Sequence, residues 1–304
     1  MSAFPRPASS VEASSKRFTA IFILAILLSA LAGAALAPVA AYAIAIAGPH
    51  LSFPRIFDRV FMITPAAVLI IFARPLDLWK LLDRGFRNPR ERLPALFAGL
   101  GVASVITIVL LALAAWIAQG PWIAGALATR ALVYLPAALL IGVIEEGFFR
   151  AVLLGGLRRD FGVRVALIVS SAIYALAHLV RAPQHYYLTG FHPAAGFENL
   201  AASLARIAHP DGLLAMLFGL FLLGLLLGEA FLLTGRVYLS IGLHAGFVLG
   251  AKCWPVVAGA QAHAIPSWLA GPGPVPLIAA PAAWLASLAL MGLMLLWRRS
   301  PADE

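Results

Sequence analysis

Long apolar runs alternate along this chain with short polar connections. The runs lie at about 18–47, 56–73, 94–118, 131–157, 163–180, 212–233, 237–251 and 276–297, and a helix needs roughly 20 apolar residues to cross a hydrocarbon core. The pattern predicts an all-α, polytopic integral membrane helix bundle of about eight transmembrane helices. The seventh run is short and is separated from the sixth only by the tight turn Thr234-Gly235-Arg236. The first follows Arg6, Lys16 and Arg17 and holds small-residue stretches, as a cleaved leader does, but it exceeds a leader's apolar region and reads as a spanning helix. Within the connection 181–211, Phe197, Leu200, Ala201, Leu204, Ile207 and Ala208 recur at helical spacing and predict a helix lying on the outer membrane surface.

Composition agrees: 62% of the 304 residues are hydrophobic and 12% charged, too few polar groups to clothe a water-soluble domain. The net charge of +9 does not point to nucleic acid, because the cations sit in short connections rather than on one stripe. Arg84, Arg87, Arg90 and Arg92 follow the second run, Arg158, Arg159 and Arg164 the fourth, Arg236 the sixth, and Arg298 with Arg299 the eighth. An even number of spans puts all of them on one side, which by the positive-inside rule places both termini in the cytoplasm of a protein of the cell membrane. Cys253 is the single cysteine, so neither an internal disulfide nor a cysteine-based zinc or iron–sulfur site is available.

Ionisable groups within a bilayer are costly, so each is a functional candidate. The fourth run reads Ile144-Glu145-Glu146-Gly147-Phe148-Phe149-Arg150, the fifth carries Ser170-Ser171 and Tyr174 before His178, and the seventh carries Ser240 before His244. Residues four apart share a helix face while neighbours differ by about 100°. Glu146 therefore stacks over Arg150, which holds it ionised, and Glu145 is left to point elsewhere; on one reading it faces a polar cavity as a general base, on the other both carboxylates only join helices. Glutamate and histidine from separate helices are the components of hydrolysis: a carboxylate takes a proton from water, and imidazoles bind a metal or stabilise an oxyanion. The His-Glu-x-x-His helix of soluble zinc proteases is absent. Glu229, near the end of the sixth run, is expected to reach the interface or pair with Arg236. His50, His185, His192, His209 and His263 fall at scattered outer positions and read as solvated side chains.

These residues resemble the CPBP intramembrane proteases, the family that includes the CAAX prenyl endopeptidases and bacterial proteins of bacteriocin processing or self-immunity. The family's Glu-Glu-x-x-x-Arg is met by Glu145, Glu146 and Arg150, its Phe-x-x-x-His by Tyr174 and His178, and its His-x-x-x-Asn by His244 alone, since Val248 stands where the Asn is usual. The match covers about residues 130–251. The resemblance implies Glu145 as the water-activating base, Glu146, His178 and His244 as further catalytic residues, and Arg150 in support; Ser240, one turn before His244, or Tyr174 is the candidate for the polar group missing at Val248. It also implies zinc or another divalent metal on Glu145, His178 and His244, and a membrane-associated peptide or protein as substrate.

The chain then divides into an N-terminal tail (1–17), N-terminal spanning helices (18–125), a protease-like core (126–252), and an outer loop, last helix and short tail (253–304). Intramembrane peptide hydrolysis is the leading reading. A catalytically silent scaffold or bacteriocin-immunity-type protein of the same fold is the alternative, with Val248 as its argument. A proton-relay transporter is a third, but paired broken helices in two matching halves are not seen.

Overall fold

Inside a bilayer the backbone finds no water to bond with, so each crossing segment satisfies its N–H and C=O groups within itself. The computed structural model describes residues 17–48, 51–119, 124–180, 186–205, 212–272 and 277–299, and among them the apolar runs are helices and no strand occurs. In chain order the helices are α1 (Arg17–Ile46), α2 (Phe53–Ile71), α3 (Leu78–Phe86), α4 (Pro89–Ile117), α5 (Ala124–Glu146), α6 (Gly155–Ala177), α7 (Ala195–Ala205), α8 (Leu213–Thr234), α9 (Tyr238–Ala258), α10 (Ser267–Ala270) and α11 (Pro281–Arg299). A π-helical stretch, Gly147–Leu154, joins α5 to α6.

Six runs among the described residues are long and apolar enough to span a membrane: Arg17–Ile46, Pro89–Ile117, Ala124–Ala177, Leu213–Thr234, Tyr238–Ala258 and Pro281–Arg298. The third has 54 residues and holds both the expected fourth and fifth spans. It is broken at Gly162, whose φ of 74° and ψ of 175° are open to glycine and strained for other residues. The expected second span corresponds to α2, which carries Arg55, Asp58 and Arg59 in its first two turns and is not among the six.

The chain packs as two units. One holds residues up to Lys80 with Gly156–Ala166 and Ala177–His209; the other holds Leu81–Gly155, Leu167–Leu176 and the chain from Pro210 on. In the first, α1 and α2 lie side by side, with Ala37 and Ala41 on Phe53 and Phe57 and Gly33 against the ring of Phe61. Helix α7 buries Ala195, Gly196, Asn199 and Ser203, and Gly196 is pressed against the Ala34 carbonyl of α1. Phe197 and Leu204 stay exposed, so small and polar residues pack inward while apolar ones are left for lipid. Ile207 and Ala208 of that expected surface helix lie outside the described residues. Near the start of α1, Thr19 donates its N–H and its hydroxyl to Asp160, at 2.8 and 2.5 Å. Asp77 pairs with Lys80 and Arg159, and hydrogen bonds from these two cations, Lys80 first, hold its carboxyl below the usual range.

In the second unit, α4 and α9 meet along a seam of small residues. Gly242, Gly246 and Gly250 recur every fourth residue on one face of α9 and lie against Leu96, Ala103 and Thr107 of α4, while Gly99 of α4 lies against the Leu239 carbonyl. A β-carbon at Gly242 would run into the Leu96 carbonyl. Lipid supplies little hydrophobic drive between helices, so close backbone approach is what such a seam contributes. Helix α8 ends at Gly235 in the left-handed conformation, φ 64°, its N–H donating to the Phe231 carbonyl at 2.7 Å.

Glu229 does not pair with Arg236. Its carboxylate lies 3.8 Å from Arg298 of α11, because Arg236 follows the Gly235 terminator and donates from Nη1 to the Gly235 carbonyl. Of the outer histidines, His192 is exposed with Nε2 2.9 Å from the Thr189 carbonyl, and His263 is exposed. His50, His185 and His209, like residues 1–16 and 300–304, lie outside the described residues.

Candidate active site

The last turn of α5 delivers two adjacent carboxylates to different surroundings. Glu146 is fully buried, with Oε2 3.1 Å from Nε of Arg150, itself fully buried. That is the stacking the four-residue spacing predicts. The Arg150 guanidinium also lies over the ring of Tyr174, 5.0 Å from its centroid, and 6.0 Å from that of Phe149, so two π faces stabilise the charge where water is excluded. Tyr174 in turn meets Phe149 and His244 edge to face, at 5.0 and 6.2 Å.

The spacing did not reveal the second partner of Glu146. His244 of α9 lies with Nδ1 2.8 Å from Glu146 Oε1. An ionised carboxylate only accepts, so Nδ1 carries the proton and donates, and in the neutral ring Nε2 holds the lone pair. That nitrogen faces Glu145, at 3.8 Å from Oε2. Glu145 retains 29% side-chain exposure against 0% for Glu146. Its Oε2 is itself buried and has no hydrogen-bond partner among the described residues. At 3.8 Å the two atoms are too far apart for a direct hydrogen bond, yet close enough for one small ligand to touch both. Ser240, buried one turn before His244, donates to the Val237 carbonyl at 2.9 Å. Val248 is half-buried one turn beyond.

The seam of glycines sets how closely α9, which carries His244, approaches α4; the spacing of those glycines was the available signal for it. The π-helical stretch begins directly after Glu146, and such widened turns recur at functional positions. His178 belongs to the other unit, half-buried in the turn that closes α6, and its assignment comes from the motif.

Among the described residues no group of three or more His, Cys, Asp or Glu side chains is assembled to hold a metal ion. Glu145 and His244 supply two donors of the types zinc takes, and a carboxylate behind the other ring nitrogen is the arrangement that orients metal-ligating histidines. The pair fits one edge of a divalent-metal site.

Residues 127–250 match the family model described as Type II CAAX prenyl endopeptidase Rce1-like. The matched stretch contains Glu145, Glu146, Arg150, Tyr174, His178, Ser240 and His244 and agrees with the resemblance drawn from the motifs. No curated protein and no solved structure matches the chain.

Proposed function

We propose that this chain is an intramembrane endopeptidase of the CAAX-protease type, hydrolysing a peptide bond in a membrane-associated protein or peptide of the cell membrane. The observation that carries the reading is the division of labour between the two carboxylates: Glu146 is engaged by Arg150 and His244, while Glu145 keeps an unpartnered oxygen beside Nε2 of His244.

In this reading Glu145 takes a proton from the attacking water, whose oxygen adds to the scissile carbonyl carbon, and later returns that proton to the leaving amine. His244, held by Glu146, faces the developing oxyanion through Nε2, donating when that nitrogen is protonated. Arg150 and Tyr174 keep the Glu146–His244 pair in register. A divalent metal, zinc or another, would be held by Glu145 and by Nε2 of His244 in place of that proton, and when bound it would lower the pKa of water.

Val248 favours the second reading, a silent scaffold or immunity-type protein, because an apolar side chain in the position of the family's Asn neither ligates nor donates. Terminal proteomics on membranes carrying wild type or Glu145→Gln separates the two. Peptide ends that depend on the carboxylate support the protease; their absence, with both proteins folded and abundant, supports the scaffold.

A further inference from the structure

The candidate active site uses one part of α5 and α9, and a second charged cluster without a role lies near the other end of the same two helices. Arg130 of α5 and Lys252 of α9 share the ring of Tyr134: the guanidinium carbon is 5.3 Å and the ammonium nitrogen 5.6 Å from its centroid. Arg130 Nε donates to the Lys252 backbone carbonyl, tying the side chain to α9. No ion pair to either cation forms among the described residues.

Their height in the bundle makes this arrangement informative. Helix α9 has 21 residues, about 32 Å, little more than the ~30 Å hydrocarbon thickness. Lys252 stands six residues before its end, about 9 Å along the axis, a distance that a long lysine side chain can cover to reach a headgroup layer at that helix end. Val133, three residues on from Arg130 and so on the same side of α5, is 67% exposed, an apolar surface for an acyl chain. Two cations drawn to one ring at this boundary repel each other, and the ring offsets only part of that repulsion. The Nη donors of Arg130 and the ammonium of Lys252 are the groups that bind phosphate oxygens.

We infer that Arg130, Lys252 and Tyr134 bind the phosphate of an anionic phospholipid with an acyl chain along Val133. The exposed apolar neighbour favours a lipid over a free anion, and the site is independent of whether the chain hydrolyses peptides.

Purified protein in detergent is titrated with phosphatidylglycerol or with phosphatidylcholine, and bound lipid is counted by native mass spectrometry. Wild type should retain phosphatidylglycerol and not phosphatidylcholine. Affinity should fall about 30-fold in R130Q/K252Q, from about fivefold for each lost cation, and stay unchanged in R90Q/R92Q. K252E supplies Arg130 with a partner, preserves the fold and should also lose the lipid. Equal phosphatidylglycerol retention by wild type and either variant at these positions overturns the site. Displacement of the lipid by millimolar inorganic phosphate overturns it in favour of a free-anion site.

Discussion

Nδ1 of His244 lies 2.8 Å from Oε1 of Glu146, across 98 residues of chain. The contact turns a helix face into a site: it consumes one carboxylate, fixes the proton on one ring nitrogen and aims the other nitrogen at Glu145.

Glu145→Gln keeps the shape and removes the base. Cleavage should drop by about 10²–10⁴-fold, with membrane expression and thermal unfolding in detergent close to wild type. Full turnover in this variant would remove Glu145 from the mechanism.

Glu146→Ala and Arg150→Ala each strand a buried charge. We expect both to lose stability by about 3–5 kcal/mol, read as a lower unfolding temperature, with cleavage lost as well. The double variant should be less destabilised than the sum of the two, because the partners form one ion pair.

His244→Ala removes the ring that faces Glu145. If a divalent metal is held there, elemental analysis of purified wild type should find near-stoichiometric metal, and this variant should fall well below it. Chelation should then silence wild type, and added metal should restore it. Wild type purified under metal-replete conditions without bound metal would remove the metal from the mechanism.

Gly242→Val places side-chain atoms where the Leu96 carbonyl lies. Overpacking typically costs about 1–3 kcal/mol, and here it also shifts α9 and therefore His244. Cleavage should fall more than stability does, whereas Gly101→Val, at an open position on α4, should leave both nearly unchanged.

Val248→Asn restores a polar group one turn beyond His244. For a working protease the substitution should raise turnover, by up to about 10²–10³-fold if the amide adds a well-aimed donor to the oxyanion. An inactive wild type that gains cleavage with this single change would identify the scaffold reading as the native state and Val248 as its cause.

The membrane character, the helical class and the pairing of Glu146 with Arg150 were legible in the chain itself. Apolar run length decides whether a segment crosses lipid, and helical spacing alone puts Glu146 over Arg150, a pair found at 3.1 Å. Residues distant in sequence were another matter. The partner of Glu229 is Arg298 rather than the nearby Arg236, and Glu146 is shared with His244, because pairing between helices depends on how their backbones approach. The glycines of α9 permit that approach, and their value appears only against Gly99, Ala103 and Thr107 of α4. Local periodicity therefore determined what each helix is and which face carries charge, while tertiary packing decided which carboxylate is engaged and which keeps an unpartnered oxygen.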